Sequence, residues 1–322
     1  MARVLVTTVP FAQHDPQPIH MLEAVNADYL VNPIGRKLTE DELAEMVADT
    51  EVLIAGTEPI TARVMAAAPR LRLISRVGVG LDSVDLRQAR ARGISISYTP
   101  EAPAPAVAEL TIGLALSLLR DTHIANAELH RGVWERHVGR RASDITFGIV
   151  GVGRIGRRVI QHLRGIGATR ILAHDIRCDA GLADDLGFSW AALPELLDGA
   201  DLVSLHVPLT ERTRGMFGDE RLGAMRPGSW LINTARGGIV DESALERALV
   251  SGQLRGAAVD VFEHEPYHGP LSAVESCLLT SHMGSMSIDC RTAMEIEATA
   301  EAVRYLSGED LLSQVPDEEY PS

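Results

Sequence analysis

Cysteine is scarce in this chain, with three in 322 residues. Cys178, Cys277 and Cys290 are scattered without metal-ligand spacing, so no metal site is expected and the thiols read as buried or inert. Positive charge is also short: 30 Lys and Arg face 44 Asp and Glu, a formal charge of −14. That balance argues against nucleic acid or an acidic membrane surface as partner, and anionic ligands must be met by locally placed arginines. Long hydrophobic runs are missing as well. The longest, Ala106–Leu119, is interrupted by Glu109 and reads as too short to span a bilayer. No signal peptide opens the chain, since Met1-Ala2-Arg3 leads straight into a strand-like run, and a cytoplasmic location is expected. What is abundant is apolar material, 46% of the residues, enough for the packed cores of about two domains.

The most informative stretch is Asp144–Asp175. Ile145, Phe147, Ile149 and Val150 make a run suited to a buried strand. Gly151, Gly153 and Gly156 then give G-x-G-x-x-G where that strand must turn into a helix. Ile155, Val159, Ile160 and Leu163 share one face of that helix, with Arg154, Arg157 and Arg158 off it. A second strand, Arg170–His174, ends in Asp175, nineteen positions after Gly156. Gly151 permits the tight turn, Gly153 lets backbone approach a pyrophosphate, and Gly156 allows close helix–strand packing. The phosphates would sit over the free N–H groups of the first helical turn, around Arg154 and Ile155, at the positive end of the helix dipole. Asp175 can accept hydrogen bonds from the adenosine ribose. A carboxylate there repels a 2′-phosphate, so NAD is expected over NADP, with Arg177 partly offsetting the preference.

Elsewhere the chain alternates strand and helix. Strands are expected at Val4–Thr7, Ala27–Val31, Val52–Ala55, Leu71–Ser75 and Ile94–Ser97, with a capping box at Thr39 and Glu42 opening a helix. The proline-rich run Thr99–Pro105 reads as a hinge or crossover, followed by one long helix from Ala106 to about Arg131. A last helix, about Ser287–Leu306, returns to the first domain, and the acidic tail Ser313–Ser322 is expected to be loose. The fold class is α/β: two Rossmann-like or flavodoxin-like parallel-sheet domains with an active-site cleft between them. Residues 1–100 and 288–322 are assigned to the substrate-binding domain, and 101–287 to the NAD-binding Rossmann domain.

Four later clusters fall where strands should end, the ligand side of open α/β sheets. They are His206-Val207-Pro208, Asn233–Gly238, Asp260–Glu265 and Ser281–Gly284. His282 precedes a glycine and carries an imidazole that titrates near neutrality, as a proton donor and acceptor requires. Glu265, seventeen residues earlier, can bond the other ring nitrogen. Arg236, flanked by Gly237 and Gly238, can pair bidentately with a carboxylate. His206, Val207 and Pro208 read as a wall of the adenosine pocket, Glu263 and His264 as surface charges, and Met283 and Met286 as packing.

With R-x-G-V-G-x-D at Arg76–Asp82 and Ala106-Val107-Ala108-Glu109, these motifs make the chain resemble the NAD-dependent D-2-hydroxyacid dehydrogenases over nearly its whole length. That family includes phosphoglycerate, glycerate, D-lactate, formate and phosphite dehydrogenases. The resemblance implies hydride transfer between NAD(H) and a small anionic D-2-hydroxy acid or 2-oxo acid. It puts His282 as acid/base, Glu265 as its partner and Arg236 on the substrate carboxylate. By the same resemblance Asp260 and the Thr234 backbone hold the nicotinamide carboxamide, with Gly284 also at the cofactor. Gly78 and Val79 offer backbone N–H groups to the carboxylate. A homodimer is expected, with Trp134, Arg136 and His137 either reaching a partner subunit or serving the surface.

The pattern departs from some relatives. Ala55 aligns where phosphoglycerate enzymes offer an arginine to the substrate phosphate, and the chain ends at Ser322 without the regulatory extension some of them carry. Glu101 and Pro103 replace the Gly and Asn common in that loop. Two other readings stay open: an NAD(H)-sensing corepressor or scaffold, and a phosphite- or phosphonate-type dehydrogenase. The second would carry lysine where this chain has Val79.

Overall fold

The computed structural model describes residues 3–320; Met1, Ala2, Pro321 and Ser322, which the readings of the start and of the tail include, lie outside the described residues. The chain forms two units, Met1–Pro103 with Met286–Ser322, and Ala104–Ser285. Unit 1 opens with β1 (Arg3–Val6), α1 (Gln17–Ala24), β2 (Asp28–Val31), α2 (Glu40–Met46) and β3 (Val52–Ala55). It continues with α3 (Ala62–Ala67), β4 (Leu73–Arg76), α4 (Leu86–Ala91) and β5 (Ser95–Ser97). The strands pair in parallel in the order β2-β1-β3-β4-β5. β3 and β4 are buried at every residue, as expected of central strands covered on both faces. The capping box of α2 forms in both directions: Glu42 N–H donates to Thr39 Oγ1 at 3.3 Å, and Thr39 N–H to Glu42 Oε2 at 2.9 Å. α1 had no sequence signal, because Pro16 stands at its N-cap without a capping side chain.

Unit 2 begins inside α5 (Pro103–Arg120) and α6 (Thr122–His130). The proline run contains the boundary between the two units, Pro103 ending one and Ala104 opening the other. Pro103 and Pro105 occupy the first turn of α5, where an N–H has no intrahelical partner to lose. One expectation fails here: the long helix is not continuous. It breaks at Asp121, whose φ of 50° is left-handed and whose buried carboxylate accepts a bond from Arg255 Nη2 at 2.8 Å. With its earlier start α5 reaches 18 residues, long and apolar enough to cross a membrane by composition. Its Leu114, Ala115, Leu118 and Leu119 are nevertheless packed in a core with Phe147, Ile149, Val159 and Ile160.

There follow β6 (Thr146–Val150), α7 (Arg154–Gly165), β7 (Arg170–His174), α8 (Ala180–Leu186), β8 (Ser189–Trp190), α9 (Leu193–Gly199) and β9 (Leu202–Leu205). Next come α10 (Asp219–Ala224), β10 (Ser229–Asn233), α11 (Glu242–Val250), β11 (Leu254–Val259) and β12 (Cys277–Leu279). The sheet order is β12-β11-β10-β9-β6-β7-β8, with every pairing parallel. After β6 the chain first builds outward through β7 and then returns to its other side at β9. The C-terminal end of β6 is therefore the topological switch point where open sheets bind ligands.

α12 (Ile288–Leu306) completes unit 1, bonded to β4 through Ser75 Oγ, which donates to the Ala298 carbonyl at 2.8 Å. The tail after it is not loose. Val315 is buried, its N–H donates to the Ile96 carbonyl at 2.9 Å, and Tyr98 N–H donates to the Ser313 carbonyl at 3.1 Å. Arg90 pairs with Asp317 and lies 4.0 Å over the Tyr320 ring. The acidic composition suggested solvent, but edge strand β5 supplied backbone partners far away in sequence.

Candidate active site

The glycine loop is built from steric necessity. A Cβ on Gly156 would lie 2.0 Å from the Gly151 carbonyl oxygen, and one on Gly151, at φ 96°, would lie 2.7 Å from His206 backbone. At Gly153 a Cβ would meet nothing within 4 Å, so bareness there serves approach from outside, not internal packing. Gly153 is also the N-cap of α7 and supplies no side-chain cap, so the start of the helix presents backbone of the kind that meets a phosphate. Asp175 Oδ2 accepts from Val152 N–H at 2.7 Å and Oδ1 from Arg177 N–H at 3.2 Å. The acid thus braces the glycine loop, and a carboxylate's further lone pairs can still accept from ribose hydroxyls.

His206 follows β9 with its Nε2 2.9 Å from Ser204 Oγ. Its buried Nδ1 has no partner among the described residues, and burial pushes the ring down to about 3. It is a neutral imidazole with an open ring nitrogen, suited to a wall and unsuited to proton transfer at neutral pH. A cradle that a Cβ would fill, an uncapped helix start and a lone buried polar atom together fit a dinucleotide.

β10, β11 and β12 are neighbours in the sheet, so the loops after them lie side by side. The loop after β12 places His282 at φ 54°, a conformation a non-glycine residue adopts only when held. Asp260, 1% exposed, holds it. Its Oδ1 accepts from Thr280 Oγ1 at 2.6 Å and from Met283 N–H at 2.7 Å, and its Oδ2 accepts from Gly284 N–H at 2.9 Å. Its carbonyl accepts from His282 N–H at 2.8 Å. Gly284 is buried against Asp260 and Val107. His282 Nδ1 donates to both Glu265 oxygens, at 3.0 and 2.9 Å, and Glu265 Oε1 also accepts from Phe262 N–H at 3.1 Å. In the neighbouring loop, Arg236 Nη1 donates to the Ala235 carbonyl at 2.6 Å. Thr234 Oγ1 pairs with Thr111 Oγ1 of α5 at 2.9 Å.

Two further placements differ from simple expectation. Met283 and Met286 are exposed instead of packed. In unit 1, Gly78 N–H donates to Thr99 Oγ1 at 2.8 Å, so that donor is already in use. Of the thiols expected to be buried or inert, Cys277 and Cys290 are buried and Cys178 is exposed. The residue the sequence reading passed over is Asn233, whose side chain bonds within the Arg236 turn. An Asn two residues before the turn's first N–H is the signal that could have found it.

A parallel sheet with a glycine loop at its topological switch point has the form of a dinucleotide-binding domain. Residues 112–284 match the family described as D-isomer specific 2-hydroxyacid dehydrogenase, NAD binding domain. The chain is 36% identical over 267 residues to a hydroxypyruvate reductase of Thermotoga maritima, covering 81% of this chain and 86% of that protein. It is 36% identical over 282 residues to the D-3-phosphoglycerate dehydrogenase of Methanocaldococcus jannaschii, covering 86% of this chain but 53% of that longer one. Among solved structures, the TT0316 protein from Thermus thermophilus superposes with a TM-score of 0.88 at 35% identity, covering 98% of this chain and 100% of the other. A glyoxylate reductase from Paecilomyes thermophila gives 0.87 at 28% identity, covering 98% and 99%. The chain belongs to the D-2-hydroxyacid dehydrogenases, a family of NAD-dependent oxidoreductases acting on hydroxy acids and 2-oxo acids.

Proposed function

We propose that this chain interconverts a small, unphosphorylated D-2-hydroxy acid and its 2-oxo acid, with His282 exchanging the proton at the carbinol oxygen. The carrying observation is the His282–Glu265 pair. Because Glu265 accepts from Nδ1–H at 2.9 Å, the tautomer is fixed and Nε2 is the ring nitrogen left to exchange a proton with the substrate. Bound NAD(H) supplies or receives the hydride. Arg236 pairs with the substrate carboxylate and polarises the adjacent carbonyl. Thr234 backbone, Asp260 and Gly284 border the nicotinamide. In unit 1, the loop of Gly78 and Val79 is a substrate-binding candidate by the family resemblance, with Gly78 N–H tied to Thr99 Oγ1 at 2.8 Å. Ala55 at the end of β3 supports a substrate without phosphate.

The protein is proposed to be a homodimer. Leu129, Val133, Trp134 and Val138 are exposed along α6 and the segment after it, Trp134 at 80%, an apolar stretch that a second copy would cover. Three free thiols support a reducing, cytoplasmic compartment.

The test is nicotinamide absorbance with NADH or NADPH and glyoxylate, hydroxypyruvate, pyruvate or phosphonopyruvate. Turnover with NADH is expected on an unphosphorylated acid, and His282→Ala should lower kcat by roughly 100-fold or more. Tight NADH binding with no turnover on any acid would refute the enzymatic reading and favour a sensor.

A further inference from the structure

Asn233 ends β10 and is 1% exposed. Its Nδ2 donates to the Arg236 carbonyl at 2.9 Å, and its Oδ1 accepts from Ala235 N–H at 3.1 Å. One planar amide therefore brackets the turn that carries Arg236. The Asn233 main-chain carbonyl accepts from Asp260 N–H at 3.0 Å, and the Asp260 carbonyl accepts from His282 N–H at 2.8 Å. A bonded path thus runs from the Arg236 backbone through Asn233 and Asp260 to the His282 backbone. The other side of the turn is backed by Thr111, whose Oγ1 donates to the Val107 carbonyl at 2.8 Å and meets Thr234 Oγ1. Gly237 packs so closely on the next loop that a Cβ would lie 2.0 Å from the Phe262 carbonyl.

We propose that Asn233 is a positioning residue that aims Arg236 at the substrate carboxylate and keeps it in register with His282. This rests on the proposed function. The chemistry requires asparagine in particular. Aspartate keeps an acceptor for Ala235 N–H but sets a carboxylate oxygen against the Arg236 carbonyl. Serine is too short to serve both ends, and glutamine is longer by a methylene. Since a carboxylate is gripped bidentately only when the guanidinium plane is correctly turned, loosening the turn should cost substrate binding and spare the cofactor.

In N233D and N233S, KM for the 2-oxo acid should rise about tenfold or more, and oxamate affinity for the NADH complex should fall in parallel. NADH affinity should stay within about twofold, and the pH dependence of kcat should be unchanged. In an R236K background, where the fork is already lost, N233S should add less than about twofold. Should N233D not fold, N233S carries the same comparison. Unchanged KM and oxamate binding in folded N233S, or full additivity with R236K, would overturn the inference. A crystal structure of N233S with the Ala235–Arg236 turn unmoved would overturn it whatever the substrate is, whereas an inactive wild-type enzyme would refute only the proposed function.

Discussion

Two histidine–carboxylate pairs occur in unit 2, and they are built for different ends. His282 and Glu265 sit in loops after adjacent strands, whereas His137 Nε2 meets Glu128 Oε2 at 2.7 Å and clasps the segment after α6 to that helix. The hydrogen bond that His137 donates to Glu128 raises the His137 pKa above the ordinary imidazole value. A folded value above the unfolded one means that the clasp contributes fully below the ordinary imidazole range and fades as pH rises through the elevated value. An NMR titration should show the His137 midpoint falling in E128Q; equal midpoints in wild type and variant would refute the clasp. The thiols divide as sharply. Burial pushes Cys277 up to about 12 and Cys290 to about 11, while Cys178 is exposed. An aromatic disulfide reagent should therefore label one thiol in the native protein within minutes and all three after unfolding. Rapid native labelling of two or more would contradict the buried placement.

At the scale of elements, the break between α5 and α6 depends on a single residue. Asp121 tolerates the left-handed conformation better than most side chains, and its carboxylate takes Arg255, the second residue of strand β11. Asp121→Ala loses both features and should destabilise the protein by about 1–3 kcal/mol in urea unfolding; Asp121→Asn should cost less. Equal stability of all three would refute that role. This break was illegible in the sequence because its cause is a partner 134 positions away. The docked tail was hidden for the same reason, its partners being Ile96 of edge strand β5 and Tyr98 just after it, which local composition cannot reveal. The glycine loop was legible because its tightest requirement is local: a Cβ on Gly156 would strike the Gly151 carbonyl five residues earlier. The bond between His282 and Glu265 was legible because both residues lie in motifs that follow strands. That Asp260 spends its carboxylate on the His282 loop was not, since spacing does not say where a side chain's bonds go.

At the scale of the whole chain, unit 1 is split and unit 2 is continuous. The core of unit 1, from Leu5 to Val315, and the two cores of unit 2 share no residue. Separate cores are the condition for separate unfolding transitions. Unit 1 depends on unit 2 in one respect: residues 104–285 join its two pieces, and while folded they spare it the entropy of closing a long flexible loop. The smaller, split unit should therefore unfold first, with unit 2 still intact. The glycine loop lies wholly in unit 2, so NADH should stabilise that unit, by about 2.7 kcal/mol at one hundred times its Kd. Scanning calorimetry should show two transitions, with NADH raising the upper one and leaving the lower one in place. A single transition that NADH shifts as a whole would show that the units unfold together, and would refute the independence that their separate cores imply.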